Sequence, residues 1–205
     1  MTKWKEFATW ALGDVLGTLR LTDFAIGQVA PDMKEYWNDE TEFGSDVRFP
    51  MIHPLRAAMD NNDEIMVISH SLGTLISYDT FWKFSYYGEY RPDYTDKKIS
   101  LWITLGSPLA DATVKRKIKG ATVSGRRRYP NNVSKWVNVA AEDDFISHDS
   151  VVSNDFREMK EWRLIKSITD KRIYNLAVRD GKSNPHHGAG YLIHPYVAGV
   201  VAKWL

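Results

Sequence analysis

The sequence predicts an α/β protein, a mostly parallel sheet flanked by helices. Two observations lead there. Apolar runs of strand length recur at 65–68, 99–105, 135–141 and 172–178, separated by stretches long enough for crossovers, which parallel pairing requires. Each run also ends in polar or turn-forming residues: Ser69-His70-Ser71, Gly106-Ser107-Pro108, Glu142-Asp143-Asp144 and Arg179-Asp180-Gly181. In parallel sheets the ligand sits beyond the strand C-terminal ends, where these residues collect.

Composition sets the outer bounds. A chain of 205 residues is most simply one domain, with a helical or irregular part over 1–63 and the sheet region over 64–205. Hydrophobic residues make up 43% and charged residues 26%, an ordinary globular balance. The net charge of +1 gives no global reason to expect a nucleic-acid partner. The absence of cysteine excludes disulfides, thiolate zinc sites and a cysteine nucleophile, and fits a reducing, cytoplasmic setting. Asp14 and Arg20 interrupt the N-terminal apolar residues, so neither a signal peptide nor a membrane span is expected.

In chain order, Trp4, Phe7, Ala8, Ala11, Leu12, Val15 and Leu16 predict an amphipathic helix over about 3–16. Leu19 to Val29 reads as either strand or loop. The acidic stretch 31–46 reads as a solvated loop or short helix. Ser45 to Met59 reads as helical, with Pro50 and Pro54 implying a late start or a kink. Ile65 to Ile68 reads as a strand buried on both faces. Helical spacing then resumes through Leu72, Leu75, Ile76, Tyr78, Phe81 and Trp82. The tyrosine-rich stretch 86–94 reads as a loop at the opposite sheet edge from the site, suited to packing. After the last two strands, Tyr191, Ile193, Val197, Val200, Val201 and Trp204 predict a closing helix on the sheet.

Strand, tight serine-bearing turn and helix together make a nucleophile elbow. The positions two before and two after the serine must be small; Gly73 meets this demand, and Ser69 replaces the usual first glycine. The helix beginning at Leu72 aims its free N–H groups and positive dipole end at Ser71, where an oxyanion would form. A serine nucleophile further needs a base within hydrogen-bond reach and an acid to orient that base. The acidic cluster Glu142-Asp143-Asp144 and the pair His186-His187 follow Ser71 in the order expected of this chemistry.

With these three sites in place, residues 60–205 resemble the lipase- and esterase-like α/β-hydrolases. The matching pieces are Ser69 to Gly73, Thr104 to Pro108, Trp136 to Asn138 with Asp144 to Ser147, and His187 to Leu205. The resemblance points to Asp144 as the acid, with Asp143 and Glu142 as rivals. It points to His187 as the base over His186, because Gly190-Tyr191-Leu192 follows. It implies an α/β-hydrolase-like domain acting on a small-molecule or lipid ester through an acyl-serine intermediate, with no cofactor and no metal. His70 is a core-facing or site-edge residue in this reading and a candidate for substrate binding, while His53, His148 and His194 are structural.

Two further features carry expectations. Lys115, Arg116, Lys117, Lys119, Arg126, Arg127 and Arg128 form a basic run without an acid over 112–128. It is either a solvated crossover or, through Arg126, Arg127 and Arg128, a substrate-binding patch. The oxyanion hole takes one N–H from Leu72, but no His-Gly precedes Ser71 to mark a second donor. The resemblance thus implies that the family's first strands are missing before the elbow. That leaves an exposed strand edge open to a homo-oligomer, and a catalytically silent binding module as the alternative function.

Overall fold

The computed structural model describes residues 31–179 and 181–205. The expected helix at 3–16 and the ambiguous Leu19–Val29 stretch lie outside the described residues. In order, the elements begin with helices α1 (Pro31–Tyr36) and α2 (Phe43–Asp60), strand β1 (Met66–His70), helices α3 (Leu72–Tyr86) and α4 (Arg91–Tyr94), and strand β2 (Leu101–Leu105). Next come α5 (Ala112–Lys117), a 3₁₀ turn over Gly125–Arg128, β3 (Lys135–Ala141), a second 3₁₀ turn over Phe145–Ser147, α6 (Val152–Asp155) and α7 (Arg157–Glu161). The chain closes with β4 (Ser167–Ile173), the two-residue strands β5 (Val178–Arg179) and β6 (Lys182–Ser183), and helices α8 (Gly188–Leu192) and α9 (Pro195–Trp204).

The main sheet has the order β1-β2-β3-β4, and every pair is parallel. This is the expected α/β architecture, and it brings His70, Leu105, Ala141 and Ile173 to one edge of the sheet. Among the described residues, no helix is long and apolar enough to cross a membrane.

The two faces of the sheet differ in chemistry. Leu101, Ile103, Leu105, Val139 and Ala141 form an apolar face, covered by Tyr191, Val197 and the C-terminal helix. The closing helix expected from the sequence is thus present, broken at Ile193-His194 into α8 and α9. The opposite face carries a polar ladder among stacked aromatics. The Trp102 and Trp136 rings lie 4.4 Å apart. Trp102 Nε1 donates to Ser69 Oγ at 2.8 Å, and Trp136 Nε1 to Thr104 Oγ1 at 2.9 Å. Thr104 Oγ1 donates to Asn138 Oδ1 at 2.8 Å, and Asn138 Nδ2 to Asp170 Oδ1 at 3.0 Å. Ser69, where a glycine is usual, therefore has a structural role: it accepts the indole N–H of the neighbouring strand.

Several expectations are corrected. β1 is an edge strand among the described residues, paired only with β2, so Ile68 is 38% exposed instead of buried on both faces. The fourth strand spans 167–173 and not 172–178. At the other edge of the described sheet, β4 keeps Ile168 and Ile173 buried on opposite faces among polar and exposed residues, whereas Tyr174, Leu176 and Val178 are exposed. An apolar run is therefore a poor guide to this strand. Pro50 and Pro54 both lie inside α2, on its solvent-exposed side, where water can satisfy the carbonyls they leave unpaired. In the acidic stretch, Met33 and Tyr36 are buried, and Tyr36 donates to the buried Asp79 at 2.8 Å. The tyrosine-rich stretch packs as expected, with Tyr90 stacked on Phe84 at 4.4 Å, although Arg91–Tyr94 is a helical turn instead of loop.

Asn138 is the centre of the polar ladder, touching Thr104, Asp170 and the Ser150 carbonyl. An Asn138→Ala variant is expected to lose about 1–3 kcal/mol, because it strips partners from buried polar groups. A lower urea midpoint is the measurement, and an unchanged midpoint would show that the ladder contributes no net stability.

Candidate active site

The turn after β1 holds Ser71 at φ 54° and ψ −129°, a conformation in which a non-glycine residue carries on the order of 1–3 kcal/mol of strain. Its surroundings over-determine it. Ser71 N donates to Leu105 O at 3.0 Å, while Thr74 N and Thr74 Oγ1 donate to Ser71 O at 2.9 and 2.7 Å. Ser107 Oγ donates in turn to Thr74 Oγ1 at 2.9 Å. Ser71 occupies the N-cap of α3 but makes no side-chain cap, so its hydroxyl is left for another partner.

That partner is His186, whose Nε2 lies 2.8 Å from Ser71 Oγ. Its Nδ1 lies 2.9 Å from both carboxylate oxygens of Asp144. Asp144 is 2% exposed, whereas Asp143 and Glu142 are exposed, and Glu142 pairs with Arg172. Burial pushes the Asp144 carboxyl up, but the facing His186 and hydrogen bonds from His186, Tyr191 and Ile146 N hold it below the ordinary range. An ionised carboxylate can only accept, so Nδ1 of neutral His186 carries the proton and Nε2 presents its lone pair to Ser71.

The expected base is corrected: His186, not His187, stands between Ser71 and Asp144. His187 caps α8 instead, its Nδ1 accepting from Ala189 N at 3.2 Å. The choice is made by a clamp on the loop. Asn175 Nδ2 donates to Pro185 O at 2.8 Å and to His187 O at 3.0 Å, and His70 Nε2 donates to His186 O at 2.8 Å. Three successive carbonyls are thus fixed, and with them the direction of the ring between. The clamp requires Gly190, because a Cβ there would lie 1.8 Å from Asn175 Oδ1.

The His70 ring lies 4.6 Å from that of His186. Burial, and then the neighbouring His186, push its pKa from 6.5 down to about 4, so it is neutral at neutral pH. Leu72 opens α3 directly after Ser71, and its N–H is among the first four that a helix leaves without an internal partner. Arg126, Arg127 and Arg128 are not at the site. Their carbonyls accept from Tyr86, Trp82 and Tyr78, and Trp82 is about 16 Å along the helix from Ser71. His148 bonds the Phe145 carbonyl at 3.1 Å, and His194 caps α9 through Tyr196 N; both are structural, while His53 is exposed on α2.

Sequence reasoning missed Tyr191 and Asn175 as site residues and left Gly106 without a role. Gly106, at φ +54°, lies under the acid–base pair: a Cβ would fall 2.7 Å from Asp144 Oδ2 and 3.1 Å from His186 Nδ1. The Gly-Ser-Pro closing the second apolar run was the available signal. By contrast, a Cβ at Gly73 would meet only Ser69 Cβ at 4.0 Å, so the small residue expected there is sterically optional.

No protein-family model matches the chain, and neither curated proteins nor solved structures provide a match. The arrangement itself is chemically specific: a serine hydroxyl on a strained turn, at a helix N-terminus, hydrogen-bonded to an imidazole oriented by a buried carboxylate.

Two outcomes follow from this geometry. Gly106→Ala is expected to displace Asp144 and lower the urea midpoint, whereas Gly73→Ala leaves it nearly unchanged; equal effects would contradict the steric assignment. For His70, the unfolded chain binds a proton that the folded chain rejects. Its contribution is therefore full above about pH 6.5 and is lost as pH falls toward about 4, by on the order of 3 kcal/mol. Unfolding free energy measured across that window should fall less steeply in His70→Gln than in the parent protein.

Proposed function

We propose that the protein is a serine hydrolase acting on carboxylic esters, with an α/β-hydrolase-like active site. The observation that carries this reading is the Ser71–His186–Asp144 series of hydrogen bonds at 2.8 and 2.9 Å, built on the strained serine turn. As Ser71 Oγ attacks the ester carbonyl carbon, His186 Nε2 takes its proton, and Asp144 stabilises the resulting imidazolium. The Leu72 N–H faces the developing oxyanion. Collapse breaks the bond to the alcohol, which leaves with the proton from His186, and the acyl group stays on Ser71. Water, deprotonated by the same nitrogen, then attacks the acyl-serine and releases the acid.

One observation favours a second reading, a binding module with little turnover. β1 is an edge strand among the described residues, so the strand that would flank it on the oxyanion side is not in the described sheet. Losing one oxyanion donor costs about 10²–10³ in kcat. An edge unpaired among the described residues also suits pairing with a second copy of the chain.

A fluorophosphonate probe separates the two readings. Labelling is expected of the parent protein and of His187→Ala, to be lost in Ser71→Ala and reduced by at least about 10³ in His186→Ala. A folded parent protein that is not labelled supports the binding module, and labelling that survives Ser71→Ala removes Ser71 as nucleophile.

A further inference from the structure

Tyr191 is fully buried between the sheet and the acid–base pair. Its hydroxyl bonds Ala141 N at 2.8 Å and Asp144 Oδ2 at 2.5 Å, and the buried Ser147 side chain also acts on it as a donor. A backbone N–H can only donate, so the phenolic oxygen accepts from Ala141. Its single proton is thereby committed to Asp144. Oδ2 thus receives two donors, Tyr191 O–H and His186 Nδ1–H, while Oδ1 faces His186 and accepts from Ile146 N at 2.9 Å.

We propose that Tyr191 is a positioning residue of this site, which fixes the Asp144 carboxylate on the end of β3 and competes with His186 for its negative charge. The inference rests on the acid–base reading given above. It assigns a role to a side chain that touches neither Ser71 nor a substrate. Tyr191 ties three parts together: the backbone of Ala141 at the sheet edge, the carboxylate that follows it, and α8, which directly follows the base loop. The competition has a direction. Each donor to Asp144 spreads its charge and weakens its hold on the imidazolium, so a stronger Tyr191 donor makes His186 less basic.

Among the described residues, the ionisable groups facing His186 are Asp144 and His70, with Tyr191 acting through Asp144, and His187 is turned toward α8. Burial and the Asp144 charge hold the Tyr191 phenol well above its ordinary value, so it stays protonated while His186 titrates.

The test is the NMR titration of His186, assigned by comparison with His186→Gln, in parent protein and two variants. Tyr191→Phe removes the donor and is expected to raise the His186 midpoint by about half a pH unit or more. Replacing Tyr191 by 3-fluorotyrosine keeps the hydroxyl, makes it a stronger donor and should move the midpoint down. Opposite shifts support the proposal, whereas an unchanged midpoint in both overturns it. If Tyr191→Phe does not fold, the fluorotyrosine variant decides alone, and a midpoint that stays or rises there overturns it. With an active ester substrate, kcat of Tyr191→Phe should fall on the order of tenfold at constant KM, and the acid limb of the pH profile should move up with the His186 midpoint. A loss of packing alone would not couple these two shifts. Should the parent protein neither react with the probe nor hydrolyse esters, the hydrolase reading fails, while the titration still decides whether Tyr191 tunes the pair.

Discussion

The placement of one imidazole ring governs the rest of this structure. His186 spans 115 residues of sequence to reach Ser71 and 42 to reach Asp144, with contacts of 2.8 and 2.9 Å. A ring that must meet two fixed partners at once leaves little freedom to its surroundings. Gly106 has no side chain because Asp144 and His186 lie over it. Gly190 has none because Asn175 must reach the loop that carries His186. Ser71 is strained because only a sharp turn lifts its hydroxyl away from α3 and toward the ring. Each is a local cost, offset by the hydrogen bonds around it, those of Ser71 with Leu105 and Thr74 and those of Asn175 with Pro185 and His187.

The sheet divides the labour between its faces. The apolar face, under the C-terminal helix, packs Leu101, Ile103, Leu105 and Val139. The other face threads polar contacts through stacked indoles, from Ser69 across β2 and β3 to Asp170. Buried polar groups are costly unless satisfied, but satisfied ones fix register, because sliding a strand by one residue would orphan every member. Register matters here because Ser71, Gly106 and Asp144 follow three different strands and must arrive at matching heights. The ladder connects those three strands and β4 a few residues before each site residue.

Much of this was legible in the sequence. The run ending at Ser71, with small residues and a helix behind it, identifies the turn by spacing alone, since strand and helix periodicities are local properties. Gly106-Ser107-Pro108 and the acidic cluster mark the ends of their strands in the same way. The resemblance alone points to Asp144 over Glu142 and Asp143, whereas in the structure it is Asp144 that caps the following 3₁₀ turn and is buried beneath it. The fourth strand is expected at 172–178 and lies at 167–173, because an edge strand with several exposed positions lacks the continuous apolar run that central strands display.

What the tertiary structure alone decided is which of two adjacent histidines enters the site, which tyrosine holds the acid, and where the basic run lies. His186 and His187 are chemically identical neighbours, and their directions are set by Asn175, which follows β4, and by His70, far away in sequence at the end of β1. Tyr191 reads as an ordinary apolar helix position until its hydroxyl is seen between Ala141 and Asp144. Arg126, Arg127 and Arg128 start from a crossover beside the site but are drawn down α3 by Tyr78, Trp82 and Tyr86. Periodicity and turn chemistry act over a few residues and can be read along the chain. Hydrogen bonds between distant segments depend on register and on which side chain turns inward, and these exist only once the sheet has formed.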